Sequence, residues 1–573
     1  MTVTDTNALV DELANRFWEK ILELDPLQAT ILGDDRYDDR LPDLSPEGRA
    51  READLSRQVL SEAEAIGGDG LQTEQVITRD MLMLIARNAL EAQERKLYEL
   101  AVDHIWGVQT MPVLIAQYQK ANTVAGLEKL LARYAGYPTL IDQQIATLRE
   151  GIADGRTSAA VPVRRAIEQI DRMLSTAPEE YPAVVIAQVA DDDARARVHD
   201  AVHEYLYPAI QRYRDFLANE YEAHARPMPG LSTTPDGEAA YRLAIRMQTT
   251  LDASPEEVHA FGLDDLEWIE SEKDTIARGL GHADRDALDA ALADDPSNRT
   301  DDPKELVRLA QAQTERAFAA APRFFGRLPK SDCIVMAVEE YRERESPPAF
   351  YMPQTMDGSR QAQYYLNTYQ PHDRLLHKLA AITFHEATPG HHFQIGIEME
   401  LDHLNAFRRF GSRLAGAAFS EGWGLYAERL ADEMELYASQ AERVGMLETQ
   451  AFRAARLVVD TGLHAMGWDR GRAIRFMHER GTLPMVDAEI EVDRYTIWPG
   501  QALAYKLGQR EIERARDEVS GRMSERFDVR AFHDQVLAHG SVPLQTLRRE
   551  IPGWVEAEVA VETAPRPRSP VSR

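Results

Sequence analysis

The sequence predicts a mainly α-helical protein, one large helical unit with a small β-sheet immediately before its chemistry. Three observations predict this. Apolar residues recur at helical spacing over most of the 573 residues, Pro, Gly and Asp separate the periodic runs, and one proline-interrupted stretch around residue 350 has strand-like patterning instead.

The chain opens with an amphipathic helix over 7–24, where Leu9, Val10, Leu13, Phe17, Ile21 and Leu24 form one face and Pro26 stops the run. Further periodic runs at 45–65, 75–98, 124–152, 161–174, 192–221 and 255–277 make the first half an array of helices. The segment 279–303 is rich in Asp and Ala and poor in large apolar residues, so it is expected to be a loosely packed, solvated insertion. Between 334 and 368, Pro347, Pro348 and Pro353 break any helix, whereas 334–338 and 363–368 favour strands. Helical patterns return at 377–400, 419–436, 441–466 and 499–516. The Pro/Arg/Ser composition of the end has nothing to bury, which makes 557–573 an expected disordered tail. Residues 1–556 are read as a single unit, with 1–330 one mostly helical half and 331–556 the half that carries the chemistry.

Composition narrows the function. A formal net charge of -30 opposes a phosphate-binding surface, so neither nucleic acid nor membrane is an expected partner, and solubility explains the acidity. The single cysteine, Cys333, permits no intramolecular disulfide and no structural thiolate zinc site. Residues 1–24 carry Asp5, Asp11, Glu12 and Glu19 and lack the basic start and apolar run of a signal peptide; no stretch of about 18 apolar residues occurs, so a cytoplasmic protein is expected.

The chemistry centres on Phe384-His-Glu-Ala-Thr-Pro-Gly-His-His-Phe393. Where His-Glu-x-x-His lies on a helix, two imidazoles four residues apart reach one zinc ion and the intervening glutamate acts on its water. Here His391 follows His385 by six residues, and on an unbroken helix it would point roughly 240° away. Pro389 removes a backbone donor and disfavours helical dihedrals at Thr388, and Gly390 tolerates unusual ones, so the sequence itself demands a local break that would return His391 to the metal. His392 would share the face of His385 on a straight helix, about 10 Å along it, and stands as the reserve ligand. A proline-kinked core helix with incidental histidines is the bland alternative; three histidines and a glutamate within eight residues, in a chain with 16 histidines, speak against it.

A catalytic zinc needs a third protein ligand. Phe419-Ser-Glu-Gly-Trp-Gly-Leu-Tyr-Ala-Glu428 begins a helix some thirty residues on, with Glu421 in its first turn and Glu428 two turns later on the same face. Glu421 is the candidate ligand, and Glu428 the group that would orient a histidine. Either glutamate alone would pass for a solvated helix residue.

These motifs, together with Asp460-Thr-Gly-Leu-His464, Pro499-Gly-Gln-Ala-Leu-Ala-Tyr-Lys-Leu-Gly508 and Phe532-His-Asp-Gln-Val-Leu-Ala-His-Gly-Ser-Val-Pro-Leu544, resemble the bacterial family catalogued as domain of unknown function 885. Pro26-Leu-Gln-Ala-Thr-Ile-Leu-Gly33 resembles that family's opening, so the likeness spans 7–556. The family is in turn similar to the gluzincin peptidases, among them carboxypeptidase Taq, thimet-type oligopeptidases and angiotensin-converting enzyme; dipeptidyl peptidase III resembles a version with a lengthened motif. The resemblance implies a large helical metallopeptidase fold with a deep substrate channel shaped by 1–330. It also implies one Zn²⁺ per chain on His385, His391 and Glu421, with Glu386 as general base.

In those relatives a downstream His or Tyr assists the oxyanion. His464, Tyr495 and Tyr505 are the matching candidates here. A lone histidine on the apolar run 454–466 is ordinarily a satisfied core residue, though Asp460 one turn earlier favours a functional one. Arg456, Arg494 and Lys506 are the cations best suited to a substrate carboxylate, although Lys506 also reads as a snorkelling lysine. The strand at 363–368 is a candidate edge for an extended peptide. The expected function is zinc-dependent hydrolysis of short peptides. A zinc amidohydrolase or tailoring enzyme acting on a small amide, and a catalytically silent helical binding protein, are the competing readings. Nothing in the sequence sets an oligomeric state.

Overall fold

Proline and capping side chains set where the helices begin. Ser45 accepts the Gly48 amide at 3.1 Å ahead of Pro46, Ser254 and Glu257 form a reciprocal capping box around Pro255, and Asp302 caps the helix that starts at Pro303. In each case the missing proline N–H is one that a helix start leaves unpaired anyway. The computed structural model describes residues 3–340, 343, 346–356, 358–551 and 553, and the expected tail at 557–573 lies outside them.

The protein is mainly helical, as its periodicity predicts. The first helices are α1 (Val3–Leu24), α2 (Pro46–Ile66) and α3 (Thr73–Glu94). The run expected over 124–152 is two helices, α4 (Val124–Ala135) and α5 (Tyr137–Asp154), because Pro138 interrupts hydrogen bonding at their junction. The segment 279–303, expected to be loosely packed, is instead docked. A helix over Arg285–Asp294, capped by Asp284, buries Leu288 with Ala277 and Val444, and Asn298 bonds the main-chain N–H of His377 at 2.9 Å and its Nδ1 at 2.8 Å. One leucine and one asparagine suffice to dock it, which a count of large apolar residues does not register.

The small sheet forms where the prolines predict it. Its strands are β1 (Cys333–Ala337), β2 (Ala349–Met352) and β3 (Ala362–Leu366), in the order β1-β3-β2, with β3 parallel to β1 and antiparallel to β2. The strand expected as a peptide-binding edge, 363–368, is therefore the central one. Both of its sides are already paired, so only β1 and β2 are edges.

After the sheet come α6 (Leu376–Glu386), α7 (His391–Met399), α8 (Ala418–Glu433), α9 (Gln440–His464), α10 (Met485–Ile497) and α11 (Ala504–Met523). One buried apolar cluster extends from Leu13 to Ile551 and ties α1 to the helices of the second half. Phe17 meets Phe407 edge to face at 5.5 Å, and Trp18 lies where a Cβ on Gly411 would come within 2.6 Å of its ring. Helix α1 and the residues up to Ile551 thus share one core with the helices of the second half.

Candidate metal centre

The helix carrying His385 stops one residue after it. The Ala387 amide makes the last helical bond, to Thr383 at 2.8 Å, the Thr388–Pro389 peptide is cis, and a new helix starts at His391. Gly390 is required for close approach: a Cβ there would lie 1.9 Å from the His385 carbonyl oxygen and 2.4 Å from that of Phe384. Trp423 donates from Nε1 to the Pro389 carbonyl at 2.9 Å and holds the break in place. The residues that forbid a continuous helix thus turn His391 back toward His385, and their rings meet at right angles with centroids 4.8 Å apart.

Two glycines in α8 bring the third group in. A Cβ on Gly422 would lie 2.3 Å from the Gly508 carbonyl carbon, so α8 and α11 cross backbone to backbone. A Cβ on Gly424 would lie 2.8 Å from Cε1 and Nε2 of His385, so the imidazole occupies the notch this glycine leaves. Glu421, one turn earlier, presents Oε2 at 3.7 Å from His385 Nε2 and 3.4 Å from His391 Nε2. One donor atom from each of the three residues lies within 4.8 Å of the others, the one such group among the described residues.

A polar chain stands behind His385. Its Nδ1 pairs with Glu428 Oε1 at 2.8 Å, while Glu428 Oε2 accepts from Thr449 at 2.5 Å and Gln450 at 3.1 Å. Gln450 accepts from Lys506 at 2.8 Å, and Lys506 is paired with Asp265 at 2.7 Å. Glu428 therefore leaves Nε2 as the nitrogen aimed at Glu421. Burial opposes charge on His385, but the facing Glu421 carboxylate and the hydrogen bond with Glu428 outweigh it and raise the imidazole to about 9. Burial likewise opposes charge on Glu421, yet the two facing histidines hold it well below the usual carboxylate range. Positive charge is favoured at the centre of this cluster.

The remaining sequence candidates separate clearly. Glu386 is half-buried beside β1, with no ion pair among the described residues; burial, reinforced by the Glu386 charge, pushes the Cys333 thiol up to about 12. Tyr505 stacks on His385 with centroids 6.2 Å apart. His392, the reserve ligand, is outside the cluster: it is buried, its Nδ1 lies 3.2 Å from the Tyr351 hydroxyl, and burial pushes it down to about 4.

His464, expected among catalytic groups, is a core residue. Its Nδ1 accepts the Leu231 amide at 3.2 Å, its Nε2 donates to the Tyr495 carbonyl at 3.0 Å, and Tyr241 stacks on it at 5.1 Å. With both nitrogens taken it has nothing to offer a substrate. Asp460 does not assist it, accepting instead from the Tyr241 hydroxyl at 2.6 Å and the Gly500 amide at 3.1 Å. Of the expected substrate-binding residues, Lys506 is consumed by Asp265 and Gln450. Arg494 is consumed by Glu491 at 2.8 Å and Gln501 at 2.6 Å. The Tyr495 hydroxyl is buried and accepts from Arg456 at 3.0 Å. Sequence reasoning missed Arg453, whose signal was its spacing from Arg456, and the notch at Gly424, signalled by glycines on both sides of Trp423.

The bacterial protein family of unknown function DUF885 matches residues 26–551. The chain belongs to this family. Every residue of the cluster falls within the DUF885 match. Two solved structures of similar proteins share the fold. One, described as "the putative lipoprotein from Colwellia psychrerythraea", is 25% identical, with a TM-score of 0.88 over 96% of this chain and 99% of its own. The other, "a putative lipoprotein of unknown function from Shewanella oneidensis", is 18% identical, with a TM-score of 0.76 over 94% of this chain and 99% of its own. No curated protein matches.

Proposed function

We propose that this DUF885 chain is a zinc-dependent hydrolase of the peptidase type that cleaves short peptides. The observation that carries the reading is the convergence of His385, His391 and Glu421 beside Glu386, a glutamate with no hydrogen bond or ion pair among the described residues. Two ligands each about 2.1 Å from a tetrahedral zinc ion stand about 3.4 Å apart, and the separations here are 3.4 and 3.7 Å. The donor set fits. Zinc held there would supply Lewis acidity, acidifying a water and polarising the scissile carbonyl.

The protein's own groups do the rest. The Glu386 carboxylate takes the proton of the attacking water and passes it to the leaving amine. Glu428 fixes the tautomer and orientation of His385. The Tyr505 hydroxyl is the donor proposed for the oxyanion, since His464 and Tyr495 are occupied. A gluzincin-like fold with a substrate channel is part of this reading. One edge beside the cluster is β2, whose Tyr351 ring lies 6.4 Å from that of His391, and it is the proposed place for an extended substrate backbone. The proposed compartment is the cytoplasm; recovery of the native protein in a membrane fraction, in line with the lipoprotein descriptions of its structural relatives, would overturn that.

The test is incubation of zinc-loaded protein with a mixed peptide library, read by mass spectrometry, with Glu386→Gln as control. New peptide termini from the parent and none from a folded, zinc-retaining variant are expected. No products from the parent would overturn the peptidase reading.

A further inference from the structure

Arg453 and Arg456 lie three residues apart on α9 and leave the same face of the helix. Their guanidinium carbons stand 5.6 and 4.5 Å from the centre of the Tyr505 ring, and 4.5 and 4.1 Å from that of Phe452. Tyr505 in turn stacks on His385. A single aromatic ring therefore separates the metal cluster from a pair of cations.

The charges around this pair do not balance. Glu491 is shared, accepting from Arg456 at 3.0 Å and from Arg494 at 2.8 Å. Arg456 is 4% exposed, and its Nη1 is buried without a hydrogen-bond partner. Arg453 makes no hydrogen bond or ion pair among the described residues, and its Nε is likewise buried and unpartnered. Burial and the adjacent Arg456 charge work against its cation and outweigh the opposing pull of Glu428 and Glu491. A guanidinium N–H removed from water without an acceptor is costly, and two like charges on one ring add to that cost. An arginine held only for packing or solubility would be solvated or paired with one of the acidic residues in which this chain, at -30, is so rich.

We propose that Arg453 and Arg456 form a subsite for a carboxylate of the substrate, so that the protein acts on short chains with a free carboxylate one or two residues beyond the cleaved bond. The inference rests on the hydrolase reading above and specifies its substrate class. A planar carboxylate matches the fork of N–H groups that the two arginines leave unused. An extended residue spans about 3.3–3.6 Å, so one or two residues cover the width of the intervening ring. The carboxylate can come from a chain terminus or from an aspartyl or glutamyl side chain.

Binding is measured first, by calorimetry on chelator-treated full-length protein, with N-acetyl-dialanine as the free acid and as its C-terminal amide. The free acid is expected to bind roughly 10- to 100-fold more tightly, the scale of a charge-assisted pair. Arg453→Gln should remove that preference by weakening the acid alone, without lowering the melting temperature, and Arg453→Lys should restore part of it. An N-acetyl-aspartyl-alanine amide that binds like the free acid supports the same subsite and assigns a side chain as the carboxylate source. Equal binding of acid and amide by the parent, or equal weakening of both by Arg453→Gln, overturns the subsite. The zinc-loaded enzyme is then given matched acid and amide peptides. Cleavage of both at equal kcat/KM overturns the subsite while the hydrolase reading stands; Arg453-dependent binding without any cleavage does the reverse.

Discussion

Two sets of buried histidines in this protein have opposite hydrogen-bond accounts. His464 and His533 are fully enclosed and fully spent. The first bridges two main-chain groups, and the second pairs with the Phe324 carbonyl at 2.9 Å and the Tyr426 hydroxyl at 2.8 Å, while burial pushes them down to about 4 and about 3. His385 and His391 are nearly as buried, but their Nε2 atoms face a shared carboxylate at 3.7 and 3.4 Å, long for hydrogen bonds. Burial therefore does not separate a core histidine from a candidate ligand. The partner of each ring nitrogen does.

The contrast breaks most decisively at Glu421. Glu421→Ala is expected to abolish both tight zinc binding and hydrolysis, whereas the parent should hold about one zinc per chain by elemental analysis. A variant that retains full metal would show that Glu421 is not a ligand. Glu386→Gln should keep its zinc and fold and lose on the order of 10²–10⁴ in rate, the scale of general-base catalysis. Loss of metal there would make Glu386 a ligand, and an unchanged rate would remove it from the mechanism.

Glu428→Gln tests the group behind His385. Its expected effect is about a 10- to 100-fold loss of zinc affinity, measured by competition with a chromophoric chelator. His464→Leu tests the other side of the comparison. It strands the Leu231 N–H and the Tyr495 carbonyl, each at a cost of about 1–3 kcal/mol, and should lower the denaturant midpoint with zinc stoichiometry unchanged.

Asp460 adds a pH dependence to the comparison. Burial outweighs its hydrogen bonds from Tyr241 and Gly500 and raises its carboxyl to about 7. The unfolded chain releases this proton near pH 4. Between about pH 4 and 7 the unfolded state thus binds fewer protons than the folded one, and the stabilisation from protonated Asp460, complete below that window, is lost across it as pH rises. Asp460→Asn should remove this component, seen as a flatter difference in unfolding free energy against pH; an unchanged slope would assign the titration elsewhere.

The sequence by itself determined that most of the chain is helical and where several helices start, because caps, prolines and periodicity act within a few residues. It also determined that the helix must break between His385 and His391, since Pro389 and Gly390 act on their own backbone. The donor types of the cluster were legible for the same reason: His385, Glu386 and His391 stand within one short motif, and Glu421 and Glu428 lie two helical turns apart in another. Tertiary structure decided what depends on distant groups. Whether His391 or His392 meets Glu421 follows from the path that Gly390 and Trp423 impose together. His464 is spent because Leu231, more than two hundred residues away, supplies its partner. The strand at 363–368 is central rather than an edge because 349–352 returns along it. Lys506 is consumed by Asp265 and Gln450, while Arg453 makes no ion pair among the described residues and lies beside Tyr505. A hydrogen bond or an ion pair is satisfied by whatever the fold brings within about 3 Å, and local spacing carries no record of that.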